Sequence, residues 1–404
     1  MNIIKRIQKA NEGRDPERLG LKFRALRADP FTFLRGTCHL FYDRLREAGF
    51  DVAAPPVWCS GDLHLENFGS YKGDNRLVYF DINDFDEAAL APASWELVRL
   101  AASLHVAVAA QTLPAERGAA LADVLIDAYA QALACGKPAW IERDTAHGAV
   151  RELLDQLRAR RRVDWLNGRT RLVRKRRRLV VDGRRTLAVT DAERAEVSAT
   201  MQAFAAGQPE PDFFRVLDVA RRIAGTGSLG VARWVVLVEG RGSPDHNYLF
   251  DLKRAGPSSL GRVFRDLQPR WPDDAHRVAG VQRRMQAVTA AFLHPVTHGG
   301  APFVLRALQP SEDRLPFARF SDQSELLEGA VAMLARCVAW AQLRSGGRQG
   351  AACADDLIAF AGRKKWRRQI AQAAAAAARQ AMADWTTFAA AYDAGLCQPA
   401  PPME

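Results

Sequence analysis

Apolar positions along the chain change their period several times, and each change marks an element. Residues 29–49, DPFTFLRGTCHLFYDRLREAG, place apolar side chains at helical spacing, with Asp29 as cap, Pro30 at the first helical position and Gly49 as the stop. Two short apolar runs follow, Val57-Trp58-Cys59 and Leu77-Val78-Tyr79-Phe80. The polar, glycine-containing stretch between them predicts two strands joined by a loop. From Pro92 to about Cys135 the helical period returns over SWELVRLAASLHVAVAA and LADVLIDAYAQALA, predicting two helices. Alternation in RTRLVRKRRRLVVDGRRTLAV, with a Val-Asp-Gly-Arg turn at 181–184, predicts an exposed β-hairpin. A helix near 191–206 comes next. RVLDVARRIAG, GVARWVVLVEG and NYLFDLKRA, between 215 and 255, then read as three strands, and the chain beyond about 320 as helices. No internal repeat is visible.

Length and composition add bounds. A chain of 404 residues, 48% hydrophobic and 25% charged, suits an ordinary globular protein of two or three domains. The N-terminal residues lack the apolar core of a secretory signal, and the alanine-rich runs are interrupted short of a bilayer span, so a cytoplasmic protein is expected. Six cysteines (Cys38, Cys59, Cys135, Cys337, Cys353, Cys397) form no C-x-x-C pair. That pattern argues for buried reduced thiols rather than a disulfide framework or a zinc site.

Net charge is +11, and thirteen Lys/Arg against two acids between Arg158 and Arg185 account for all of it. Such an insert is either a solvated hairpin or a surface for an anionic partner: an acidic substrate, a phosphorylated partner or RNA. Trp165 is its sole aromatic residue. Base stacking is therefore unsupported, and nucleic acid is a possible partner without being the favoured one.

The chemistry gathers at SGDLHLENFG (60–69) and YFDINDFDEA (79–88). A carboxylate five residues before an amide, with another carboxylate about twenty further on, suits phosphoryl transfer, where one acid takes a proton and the others hold a metal. Magnesium takes hard oxygen ligands and keeps some water, so one Asp and one Asn suffice beside a nucleotide. The competing reading is an acidic hairpin loop in which Asp62 caps a turn and Asn67 takes a left-handed conformation. A second signal, Gly225-Thr226-Gly227-Ser228-Leu229-Gly230, is followed by a strand and not by a helix, which disfavours a dinucleotide-binding turn. Glycines there let backbone N–H groups approach phosphates, and the next strand presents Lys253. An ordinary glycine hairpin with a solvated lysine is the alternative.

Together these motifs resemble the kinase-like phosphotransferases, of the aminoglycoside phosphotransferase and choline kinase type. Gly61-Asp62-Leu63-His64-Leu65-Glu66-Asn67 is similar to their G-D-x-H-x-x-N, and Asn83-Asp84-Phe85-Asp86-Glu87-Ala88 to their second motif. PASWELVRLA (92–101) looks like their downstream P-x-x-x-D-L-A, with Glu96 in place of Asp. The resemblance implies an ATP- and Mg²⁺-dependent transferase with Asp62 as catalytic base, Asn67 and Asp84 as metal ligands and Asp86 as a further ligand. Gly225, Thr226, Gly227, Ser228, Gly230 and Lys253 would then bind the nucleotide, and His64 would be scaffold.

The implied fold is α+β, protein-kinase-like and two-lobed, in circularly permuted order because the glycine loop follows the catalytic Asp. Residues 1–150 and 319–404 would form the helical lobe, 151–207 the basic insert and connecting helix, and 208–318 the small antiparallel sheet lobe. The chain also resembles an uncharacterised bacterial family, a domain of unknown function. Its members share F-x-x-RG (here FTFLRG, 31–36), GD-x-H-x-x-NFG and NDFDE over most of the chain, least in the insert.

One departure is the missing glutamate partner for Lys253. No Glu follows until Glu312, and the next helix offers Asp273, Asp274 and Gln282. An Asp, Gln282 or Asp84 itself would have to serve. The alternatives are accordingly a nucleotide-binding pseudokinase, an AMP-transferring enzyme, or a nucleic-acid-binding protein acting through the insert. The hydroxyl substrate is not named by the sequence.

Overall fold

The computed structural model describes residues 2–110, 113, 117–309, 313–319 and 322–397. Glu312 lies outside them. Four helices open the chain: α1 (Ile3–Ala10), α2 (Pro16–Ala28), α3 (Pro30–Gly36) and α4 (Cys38–Glu47). Asp15 and Asp29 cap α2 and α3, accepting from Arg18 N at 2.9 Å and Thr32 N at 2.6 Å, each ahead of a proline. The single helix expected over 29–49 breaks at Thr37, whose Oγ1 donates to Phe33 O at 2.6 Å. Beside it, a Cβ on Gly36 would stand 2.3 Å from Leu26 Cδ2, so a larger residue there would have to push the Leu26 side chain aside.

Four strands follow: β1 (Pro56–Cys59), β2 (Phe68–Lys72), β3 (Val78–Ile82) and β4 (Ala89–Pro92). The two strands expected from the sequence are present as β1 and β3, but they do not pair with each other. β1 pairs antiparallel with β4, and β3 with β2. The sequence FGSYK hides β2 because it lacks alternation; its Gly69 is needed where a Cβ would fall 2.4 Å from Asp313 O.

Helices α5 (Ala93–Ala109) and α6 (Gly118–Cys135) match expectation. Next come β5 (Ile141–Glu142), α7 (Gly148–Arg158), α8 (Arg162–Asn167), β6 (Thr170–Val173), β7 (Arg176–Leu179) and β8 (Thr186–Leu187). The basic hairpin is β6–β7, and it turns at Arg174-Lys175, with φ of +49° and +64°. The expected turn at 181–184 instead leads into β8.

The remainder comprises α9 (Asp191–Ala205), β9 (Val216–Arg222), β10 (Arg233–Val238), β11 (Tyr248–Arg254), α10 (Ser259–Val263), α11 (Asp274–Met285), β12 (His294–His298), β13 (Ala301–Ala307), α12 (Ser324–Ser345), α13 (Ala354–Gly362) and α14 (Lys365–Asp393). An antiparallel six-stranded sheet runs β12-β13-β11-β10-β9-β8. Strand alternation gives it two faces. Val219, Trp234, Val236, Phe250, Leu252 and Leu305 pack on Val197 and Met201 of α9. Ala220, Val235, Leu237 and Leu249 pack on Leu166 and Leu179 of the basic insert.

The insert is therefore partly structural. Its Arg177 is buried and donates to Pro244 O, Asn167 Oδ1, Thr170 Oγ1 and Asp245 Oδ1 at 2.6–3.0 Å.

The largest core joins α5, α6, α12, α14 and the β1–β4 segment. By length and composition α6 and α12 would each cross a membrane, longer apolar helices than the sequence reading allowed, yet both pack largely buried against one another. Cys38, Cys59, Cys337 and Cys397 are buried as expected, whereas Cys135 and Cys353 are exposed. The fold class is mixed α and β with antiparallel sheets.

Candidate functional site

Where β1 ends, the chain enters the 60–67 loop, and two buried groups shape it. Glu96, near the start of α5, accepts at Oε1 from Ser60 N (2.6 Å), Ser60 Oγ (2.8 Å) and Gly61 N (3.2 Å). Its Oε2 accepts from Gln342 Nε2 of α12 at 3.1 Å. Tyr42 OH donates to Gly61 O from the other side. Gly61 has φ +87°, and a Cβ there would lie 1.9 Å from Glu87 O, which demands glycine twice over.

Asp62 emerges from this turn beside Arg99, one turn along α5 from Glu96. Arg99 donates to Asp62 Oδ1 through Nε at 3.0 Å and also through Nη2, while Nη2 reaches Leu34 O at 3.1 Å. The guanidinium lies over Phe41, 4.8 Å from the ring centre. Burial raises the Asp62 carboxyl above its ordinary value although Arg99 pulls the other way. The side chain keeps 23% exposure and faces the cleft described below.

His64 is buried, accepts from Glu66 N at 3.1 Å and meets Phe31 edge-on; burial holds it well below its ordinary pKa, so it is a neutral packing group. Glu66 pairs with Arg35 at 2.5 Å and Arg314 at 3.2 Å. Asn67 staples the two motifs together. Its Nδ2 donates to Asp62 O (3.1 Å) and Asp84 O (3.2 Å), and its Oδ1 accepts from Asp84 N (2.8 Å).

Asp84, in the turn after β3, is half-buried. Burial would raise its carboxyl, but Lys253 and Arg306 outweigh that and push it down to about 2. Asp86 accepts from Lys253 Nζ. This settles which side chain partners that lysine: neither Asp84, Gln282 nor the Asp273/Asp274 pair is bonded to it. Gln282 bonds Gln286 at 3.1 Å, Asp273 caps α11 through His276 N, and Asp274 pairs with Arg277.

Lys253 comes from β11, which is opposite Arg233 of β10 in the sheet register. Arg277 of α11 fastens the sheet region to the acidic motif, donating to Ala88 O (2.5 Å), Asp86 O (3.1 Å) and Gly256 O (2.7 Å). Glu87 accepts from Ser259 N and, at 3.3 Å, from Ser259 Oγ.

The glycine loop between β9 and β10 folds as a 3-10 turn over Thr226–Ser228, with Gly225 and Gly230 at φ +74° and +84°. Ser228 N and Val231 N bond back within the loop at 3.0 Å. Its carbonyls are met by the N-terminal helices: Arg14 donates to Gly227 O (2.7 Å) and Leu229 O (2.9 Å), and Lys22 to Gly227 O (3.2 Å). The loop is thus docked against the N-terminal helices through its carbonyls.

Asp62, Asn67, Asp84, Asp86, Gly225, Thr226, Gly227, Ser228, Gly230 and Lys253 all line one cleft of about 1210 Å³. No three His, Cys, Asp or Glu side chains converge as a metal cage among the described residues. The oxygens of Asn67 and Asp84 are the donor pair best suited to a hard cation that takes its other ligands from water or phosphate.

Sequence reasoning missed Glu96 and Arg99 as site residues, although they are the only charges in SWELVRLAASLHVAVAA and stand i, i+3 on one helix face. It also missed Arg14, Lys22 and Arg277, for which spacing offers no signal because they arrive from distant helices.

Fold and site define a mixed α/β protein with an acidic turn pair facing a lysine-bearing sheet across a deep cleft. Residues 14–391 match the family described as uncharacterised protein conserved in bacteria (DUF2252), and the chain belongs to that family. No curated protein and no solved structure matches it.

Proposed function

We propose that the chain is an ATP- and Mg²⁺-dependent phosphotransferase acting on a hydroxyl substrate, with a kinase-like arrangement in permuted order. One observation carries the reading. Asp62, Asn67 and Asp84 from one end of the chain meet Lys253 and the glycine loop, more than 150 residues later, in a single cleft. Positioning and charge are most of what such a reaction asks of a protein.

In this reading Asp62 accepts the hydroxyl proton as the new O–P bond forms and the bond to the departing ADP breaks. Arg99 orients the carboxylate, and its burial brings the group nearer to a useful basicity. Asp84 stays ionised down to about pH 2, as a metal ligand must. Asn67 would contribute the remaining lone pair of Oδ1. A cation held by Asn67 and Asp84 would supply neutralisation of phosphate charge. Asp86 is bound to Lys253, so it serves as that lysine's partner more readily than as a further ligand.

The test is thermal stability with ATP, with and without Mg²⁺, for wild type and Asp84→Ala. A Mg²⁺-dependent rise in Tm for the wild type alone is expected, because a ligand that binds the native state stabilises it by mass action. No rise with excess nucleotide would overturn the proposal. Labelled γ-phosphate and labelled adenosine in parallel then separate phosphoryl transfer from AMP transfer.

A further inference from the structure

The cations that line the cleft fall into three groups. Lys9, Arg254 and Arg265 are exposed to water, and Arg18, Arg35, Lys253, Arg262, Arg277 and Arg314 each meet a carboxylate: Asp15, Glu66, Asp86, Asp43, Asp274 and Glu66 respectively. Arg14 and Lys22 are the third. Among the described residues their side chains touch only neutral oxygens: the carbonyls of Gly227 and Leu229 for Arg14, and Asn11 Oδ1 (2.8 Å) and Gly227 O for Lys22.

Lys22 is 2% exposed, so its ammonium sits out of water without a counter-charge. A buried ammonium beside a half-buried guanidinium, neither with an ion-pair partner among the described residues, opposes folding, and the two repel one another. They are retained together where an anion arrives. Donors remain for it: only Nη1 of Arg14 is engaged with the loop, and one of the three Lys22 protons is left over. Both residues line the cleft, and the acids whose field reaches Lys22 are Asp62 and Glu87, which places the pair near the proposed base.

We propose that Arg14 and Lys22 form a phosphate-binding subsite beneath the glycine loop, separate from the position held by Lys253. It deepens the phosphotransferase reading by supplying a place for a second phosphoryl group. That group is either part of the nucleotide's own chain or a phosphate carried by the acceptor. Burial and Arg14 push the Lys22 ammonium well below its ordinary pKa, and an arriving anion would favour its charged form. The side chains that hold the Gly227 and Leu229 carbonyls would meet the anion through their remaining donors, so the loop and the first helices respond to it together.

The experiment is calorimetric titration of inorganic pyrophosphate, without metal, into wild type, Arg14→Gln, Lys22→Met and Arg14→Lys, with circular dichroism to establish that each is folded. Wild type is expected to bind. Arg14→Gln and Lys22→Met should each weaken binding by about tenfold or more, as loss of a charge-assisted bond implies, and Arg14→Lys should retain most of it.

Competition with a non-hydrolysable ATP analogue and Mg²⁺ identifies the bearer. Displacement of pyrophosphate assigns the subsite to the nucleotide chain; simultaneous binding assigns it to the acceptor. Absence of pyrophosphate binding, or equal binding by wild type and both neutralising variants, overturns the subsite. If pyrophosphate binds and the variants lose it while Mg²⁺-ATP never binds wild type, the phosphotransferase reading falls and the subsite stands.

Discussion

Replacing Glu96 tests whether the 60–62 turn is held from behind. Its carboxylate takes four buried donors: Ser60 N, Ser60 Oγ, Gly61 N and Gln342 Nε2. Glu96→Ala strands all four. An unsatisfied buried donor costs roughly 1–3 kcal/mol, and the vacated space admits water that recovers part of the loss, so about 4–6 kcal/mol is expected. Glu96→Gln is different. The amide oxygen can still face Ser60 and Gly61, but its NH₂ then meets Gln342 Nε2, donor against donor. Gln342 can turn over only by exchanging the Tyr129 hydroxyl bond at its Oε1, now 2.5 Å, for a donation to that hydroxyl. Burial holds the Glu96 carboxyl above its ordinary pKa despite the four donors, so a neutral amide also removes a buried charge. The net cost is about 1–2 kcal/mol.

Urea denaturation reads both values as shifts of the midpoint at constant slope. Mg²⁺-ATP binding should be lost in Glu96→Ala and weakened in Glu96→Gln, because Asp62 follows the turn. A Glu96→Ala variant within about 1 kcal/mol of wild type, with binding unchanged, would refute the argument that this carboxylate positions the loop.

Three further outcomes follow from the same geometry. Gly61→Ala should destabilise more than an ordinary surface substitution, by about 3 kcal/mol or more, since its Cβ would overlap Glu87 O at 1.9 Å; equilibrium unfolding measures it. For Asp84 the folded pKa, about 2, lies below the unfolded value, so its ionised form stabilises above roughly pH 4 and that contribution is lost as pH falls toward 2. The stability gap between wild type and Asp84→Asn, followed by pH-dependent unfolding, should accordingly close over that interval. Arg99→Met removes the cation that lowers Asp62, so the acid limb of any transfer-rate profile should move to higher pH, with kcat falling more than KM changes.

Local signals carried much of this molecule. Period marks α5, α6 and α9, the capped pattern over 29–49 covers α3 and α4 without showing the break between them, and the strand–glycine–strand pattern marks β9, β10 and β11. Residue types and spacing singled out Asp62, Asn67, Asp84 and Lys253, which the chain brings to one cleft. What stayed hidden depends on contacts far apart in sequence. The pairing of β1 with β4 follows from the path of the 60–88 segment, and β2 is a strand because Gly69 fits against Asp313. The partner of Lys253 lies 167 residues upstream, which no search of the helix after it would find. The basic insert is expected from its sequence to present an exposed hairpin, solvated or facing an anionic partner; its charge hides Leu166 of α8 and Leu179 of β7, which cover the sheet.

The Lys253–Asp86 pair has a consequence for engineering. Its acidic member sits two residues from Asp84, on the same turn that Asn67 staples, while its basic member belongs to the sheet. Any chimaera that swaps the sheet between family members must therefore carry residues 83–88 with it, or the lysine arrives opposite a foreign turn. The unit of exchange is the pair together with its two flanking segments, and neither half of the chain is modular alone.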